Sequence, residues 1–221
     1  MKAEKTFLKK RNGLTLHRRT AVSNILAWAA IADGTGSGFY PFAGEICQRI
    51  AQETGKPMHV VAGVIAALSP QTAWDDNIRA ATELISGKRP KMQTEARINK
   101  AKEIRDGIDI CPQKVARILN GPKITAFYWN ILGDEDAVTV DSHAVTVALC
   151  PPDKLKRDSG NFWPSLGAPP VKAQYRFLSG CYAHAAKKVG LSPSELQART
   201  WAAIRRAKGH GAHDVETVAP F

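Results

Sequence analysis

Closely spaced cysteines are missing from this sequence. Four are present in 221 residues, Cys47, Cys111, Cys150 and Cys181. No two form a C-x-x-C pair, so neither a zinc ribbon nor an iron–sulfur cluster is indicated, and no metal or cofactor is expected. Scattered thiols suit a reduced, intracellular chain, which makes the cytoplasm the expected location. Cys150 and Cys181 could still meet in space. Long apolar runs are also lacking: no stretch reaches the roughly 18 unbroken apolar residues of a membrane span. The basic start of the chain is not followed by an apolar segment at signal-peptide distance, so no export signal is read. Internal repeats and low-complexity tracts are absent. No run of alternating apolar and polar residues is long enough for a sheet. Val138–Val140 is the only strand-like piece, and it is too short to matter.

What is present is an ordinary globular composition, 44% apolar and 23% charged, enough for one domain or two small lobes sharing a core. Lys and Arg number 31 against 20 Asp and Glu, giving a formal charge of +11. That excess points to a polyanionic partner, most often nucleic acid. The charge is uneven. Residues 1–40 carry +5, 41–87 carry −2, 88–123 carry +6, 124–143 carry −4 and 144–221 carry +6. Basic flanks therefore enclose a locally acidic centre.

The apolar period is helical, and the class is all-α. Thr20 is placed to cap a helix running to about Ile31. After the turn-rich Asp33–Gly38, Pro41 opens a helix to Thr54 that Gly55 ends. Pro57 opens a helix apolar nearly all round, through Val60, Val61, Val64, Ile65 and Leu68, which belongs at the centre of a core. Ser69–Thr72 breaks it. Further helices are expected at Trp74–Ile85, 94–106, Pro112–Leu119 and Lys123–Leu132. Asp141 caps one more, to about Leu149. Residues 151–170 read as a long loop or insertion, 171–189 and 193–208 as closing helices, and 209–221 as a tail.

Residues 118–149 read ILNGPKITAFYWNILGDEDAVTVDSHAVTVAL. A short helix, a Gly-containing turn, a second helix and an acidic loop lead to Val-Asp-Ser-His at a helix start. Upstream, Ala67-Leu68-Ser69-Pro70-Gln71-Thr72 precedes a helix carrying Asn77. In this order and spacing the two segments resemble the helix-hairpin-helix DNA glycosylases of the endonuclease III type, as a divergent, phage-type member. The resemblance covers roughly residues 60–150, within a motif-bearing core of about 57–150. It implies one glycosylase-like domain, with two helical lobes flanking a cleft. The implied partner is DNA, double-stranded, bound by a monomer with no membrane association.

The chemistry the resemblance implies fits the residue types. Breaking an N-glycosidic bond builds positive charge on the deoxyribose, and a fixed carboxylate stabilises it. Asp141 takes that role. An amine that attacks C1′ forms a Schiff base and permits strand cleavage, and Lys123 takes that role. The target nucleotide must be flipped out of the duplex, with Gln71 as the side chain that fills the gap. Ser69, Asn120, Gly121, Ser142 and His143 complete the DNA-contacting set, with Ser142 expected to add a cap hydrogen bond. Trp28, Tyr40, Trp74, Tyr128 and Trp129 are candidates for the walls of the base pocket, of which at most two are expected to serve. The substrate the resemblance suggests is a modified pyrimidine, such as 5-hydroxymethyluracil or an oxidised pyrimidine.

One departure stands out. The family turn carries two glycines whose N–H groups grip a phosphate, whereas Leu119-Asn120-Gly121-Pro122 keeps one glycine, and Pro122 has no N–H. The cysteine-bound cluster of some members is also missing. A non-catalytic module that reads damaged or modified bases is therefore the alternative. A helical protein that binds RNA or another anionic partner through the basic segments 1–19 and 88–105 is a third reading.

Overall fold

Helix caps and the 3.6-residue apolar period produce ten α-helices among the described residues, joined by one two-stranded ribbon. The computed structural model describes residues 7–9, 15–155 and 172–209. Most of the expected 151–170 loop and nearly all of the expected tail lie outside them. The chain divides into two compact units. One is Met1–Phe39 with Glu135–Phe221; the other is Tyr40–Asp134. The motif-bearing stretch 57–150 thus contributes to both.

The unit Tyr40–Asp134 holds α2 (Phe39–Thr54), α3 (Met58–Leu68), α4 (Trp74–Ile85), α5 (Glu95–Asp106), α6 (Pro112–Leu119) and α7 (Pro122–Ile131). The all-round apolar α3 is its axis: every residue from Val60 to Leu68 is buried, and α4, α5, α6 and α7 all pack on it. Gly63 sets the closeness of that packing. A Cβ there would stand 2.5 Å from Val115 Cγ1 and 2.9 Å from Ile104 Cγ2. Long cations close the helix ends around this axis. Arg105 Nη1 donates to the Leu84 carbonyl at the end of α4 (2.7 Å), and Lys100 Nζ donates to the Leu119 carbonyl at the end of α6 (2.7 Å). Both satisfy carbonyls that a helix cannot pair internally, at the negative end of its dipole. Much of the basic segment 88–105 is engaged in this way or in pairing, since Arg89 meets Glu95 and Arg97 Nη2 donates to Gln71 Oε1.

The other unit holds β1 (Phe7–Lys9), β2 (Thr15–His17), α1 (Arg18–Ala30), α8 (Ser142–Leu149), α9 (Lys172–Val189) and α10 (Pro193–Ala207). Here α1 packs on α8, α9 and α10. Two α1 side chains satisfy carbonyls at the C-terminal end of α8: Trp28 Nε1 donates to Cys150 O (2.7 Å) and Asn24 Nδ2 to Ala148 O (3.0 Å). The antiparallel ribbon pairs Phe7 with His17 and Lys9 with Thr15. The sequence pattern did not show it, because three-residue strands carry too little alternation to register. It also carries the chain straight into α1, whose N-cap is His17 rather than Thr20. Val138–Val140 is not a strand. It is a short extended connector clasped by Tyr175, whose hydroxyl donates to Val138 O (2.5 Å) and accepts from Val140 N (3.1 Å). Cys150 and Cys181 are both buried and form no disulfide with each other.

Gly63→Ala tests the packing axis. Alanine is the better helix former by about 1 kcal/mol, yet overpacking against Val115 and Ile104 costs about 1–3 kcal/mol. Chemical denaturation is expected to show net destabilisation; unchanged or raised stability would mean that α5 and α6 can yield.

Candidate functional site

Asp141 is the N-cap of α8. Its Oδ1 accepts from Ala144 N at 2.8 Å, as the sequence pattern anticipates for an Asp ahead of a helix. Its Oδ2 accepts from Trp201 Nε1 at 3.1 Å, so the carboxylate ties the start of α8 to α10. Both oxygens are held and the group is half-buried. Ser142 is the exposed first residue of α8; the cap bond expected of it is made by Asp141.

Around this carboxylate stand Arg205 and Lys208 from the end of α10 and His143 from α8. Arg205 lies over the Trp201 ring, 4.8 Å from its centroid, within cation–π range. The His143 ring meets Trp201 edge-on at 6.4 Å. Lys208 Nζ is 3.4 Å from His143 Nδ1. Burial holds the Lys208 ammonium below its ordinary value, while the Asp141 charge works the other way. His143 and Asp141 thus both meet the Trp201 side chain. The sequence reading missed Trp201, Arg205 and Lys208. They form a stripe at positions i, i+4 and i+7 of one helix, visible in principle, but nothing in the sequence says that the stripe faces Asp141.

The remaining predicted residues of the motif lie in the unit Tyr40–Asp134. Lys123 is the second residue of α7, half-buried, with Pro122 before it and Gly121 as N-cap. Asn120 takes the left-handed conformation, φ 46°, so the turn uses Asn where a glycine is common. Gly121 is extended (φ −161°). Ser69 ends α3, its Oγ donating to Ala66 O (2.9 Å). Gln71 is exposed at the break after α3, with φ 56°. Such a conformation is costly for a non-glycine residue and recurs at functional turns. Thr72 anchors the turn beneath it: its hydroxyl donates to Leu68 O (3.0 Å) and accepts from Gln93 Nε2 (3.2 Å). On the next helix Asn77 is 2% exposed and its Oδ1 has no partner, a buried acceptor that costs about 1–3 kcal/mol.

The pocket-wall candidates separate cleanly. Trp28 and Tyr128 are fully buried, each hydrogen-bonded to a backbone carbonyl, Trp28 to Cys150 and Tyr128 to Pro112 (3.3 Å). Both are core residues and present no face to a flipped base, because aromatic bulk in a small helical unit is the main filler of its interior. Tyr40 is also buried and lies 6.4 Å from the Phe127 ring. Trp74 and Trp129 keep partial exposure. Trp74 meets Phe127 edge-on at 6.5 Å, and Trp129 lies 4.9 Å from Tyr128. Among the described residues no three His, Cys, Asp or Glu side chains form a metal-holding group, and no helix is long and apolar enough to cross a membrane.

A double-mutant cycle measures the Asp141–Trp201 bond. Asp141→Asn keeps a capping oxygen but turns its amide donor toward Trp201, and Trp201→Phe removes the indole donor. Each is expected to cost about 1–3 kcal/mol, and the double variant clearly less than the two combined. Strict additivity would show that the bond contributes nothing. The Lys208 ammonium is expected to titrate below the exposed lysines when followed by NMR of its ε-methylene. Removing the Asp141 charge in Asp141→Asn should lower it further, since that carboxylate favours the protonated amine; an upward move would contradict the arrangement.

No curated protein and no solved structure matches the chain. The sequence pattern of one family, described as a family of unknown function (DUF7178), matches residues 8–208. The chain belongs to the DUF7178 family.

Proposed function

We propose that the protein is a DNA glycosylase that flips out and excises a damaged or modified base, a pyrimidine by resemblance, with an associated abasic-site lyase step. The helix-hairpin-helix fold with a cleft between two lobes belongs to the same proposal. The observation that carries it is the doubly held Asp141 carboxylate at the start of α8. When the C1′–N bond breaks, its electron pair leaves on the base and positive charge grows on the deoxyribose. A carboxylate that is already oriented stabilises that charge without reorganising. Water then adds at C1′ and loses a proton, which completes hydrolysis. In the lyase branch a neutral amine adds at C1′ instead and loses a proton; the C1′–O4′ bond then breaks, O4′ takes up a proton, and the Schiff base forms.

Two lysines compete for that amine. Lys123 takes it by resemblance. Lys208 has local support, since it stands beside His143 in the Asp141 cluster and burial eases loss of its proton. The alternative, a non-catalytic module that reads modified or damaged bases, draws on the turn before α7, where Pro122 removes one N–H that the helix-hairpin-helix glycosylases use to hold phosphate.

Two assays separate these readings. Over a panel of duplexes, each with one modified base, the intact protein should excise at least one, and Asp141→Asn should bind that duplex but lose excision by about 100-fold or more. Binding without excision in the intact protein would establish the non-catalytic module. In the second assay, borohydride is expected to trap a covalent complex with abasic DNA, and the trap should disappear in Lys123→Gln. A trap that survives there and disappears in Lys208→Gln moves the amine to the end of α10.

A further inference from the structure

Capping a helix takes one carboxylate oxygen. Asp141 gives Oδ1 to Ala144 N, yet its Oδ2 is held as well, by the indole N–H of Trp201. A carboxylate fixed at one oxygen can still swivel about that contact. Donors on both oxygens fix its plane. Each oxygen keeps a second lone pair, and these are what a growing positive charge can meet.

The indole is itself held in place, by residues of its own unit. Its ring lies 6.0 Å from that of Phe39, with the planes tilted by 32°. His143 meets it edge-on, and the Arg205 guanidinium, one turn further along α10, lies over the ring. The helix beneath it is anchored to the loop after α1. Ser37 Oγ donates to Glu195 Oε1 (2.9 Å) and accepts from Arg199 Nη2 (3.2 Å). Arg206 Nη1 donates to Asp33 Oδ2 and to Thr35 Oγ1 (3.0 Å). Gly36 lets that loop lie against α10: its φ is 87°, and a Cβ there would stand 2.7 Å from Ala198 O. Trp201 thus sits between two anchors of α10, which fix where its N–H points.

We infer that Trp201 is a positioning residue for the excision step: its indole N–H fixes the plane of the Asp141 carboxylate and so sets the rate of bond breaking rather than the affinity for DNA. The inference rests on the glycosylase reading above and deepens it. As the C1′–N bond breaks, charge develops in one place and one direction. A carboxylate free to turn must be reoriented at that moment, whereas one held by two donors is already in place. In this role the indole acts through Asp141 and does not touch the reacting atoms. A bond that only tied α8 to α10 would behave differently. It would change stability and leave the rate of the folded molecules as it was.

The experiment uses the full chain and a duplex of the panel that the intact protein excises. Protein is in saturating excess, at a temperature where every variant is folded by circular dichroism. Trp201→3-benzothienylalanine, introduced by nonsense suppression, replaces the N–H with sulfur and keeps the shape of the ring. Single-turnover excision should slow by about ten-fold or more. Affinity for the same duplex carrying a 2′-fluoro nucleotide, which resists excision, should stay unchanged. Trp201→7-azatryptophan keeps the N–H and should excise at close to the original rate. Trp201→Phe should be slowed as the benzothienyl variant is. An unaltered single-turnover rate in the benzothienyl variant overturns the inference, even where its unfolding temperature falls. Equal slowing in the two analogues does so too, because the donor would then not be the cause. Weakened binding of the 2′-fluoro duplex also overturns it, since the indole would then meet the DNA itself. Failure of the glycosylase reading would appear separately, as no excision by the intact protein on any duplex, and would take the inference with it.

Discussion

The Asp141 carboxylate is the constraint on which its unit turns. One oxygen closes the first turn of α8 and the other holds the indole of α10. A carboxylate fixed at both oxygens cannot turn to meet a ligand; the ligand must come to it. That suits a group whose work is to present charge in one direction, because its reorganisation has already been settled by folding. The arrangement also explains why the approach to Asp141 is so strongly buttressed. Tyr175 clasps Val138 and Val140 directly before it, and Tyr182 donates to Ala144 O directly after it (3.3 Å). Burial raises the Tyr175 hydroxyl, which keeps it a neutral donor and acceptor across the physiological range.

Helix positions were largely legible in the sequence, for a physical reason. Caps and breakers act within one turn, so Asp141, Pro112, Pro57 and Gly55 mark their boundaries wherever the chain goes. The all-round apolar run of α3 could be identified as a core axis because no other burial satisfies it. The ribbon Phe7–Lys9/Thr15–His17 was not legible, since its stability comes from packing beside α1 and α9 rather than from its own pattern. Site partners were legible only in part. Asp141 announced itself by its cap position and His143 by adjacency. Trp201, Arg205 and Lys208 lie about sixty residues away along the chain, and only the packing of α8 on α10 brings them in. The aromatics show the converse limit. Composition says that an aromatic is valuable but not whether it faces inward, and Trp28 and Tyr128 proved to be interior.

The charge reading changes most. A formal +11 suggested basic surfaces on either side of an acidic centre. In the structure, many of the cations in 88–105 have structural work at helix ends and in pairs, so their contribution to a free basic surface is smaller than the count implies. Net charge alone does not mark which cations close helices; the carbonyl or carboxylate beside each one does.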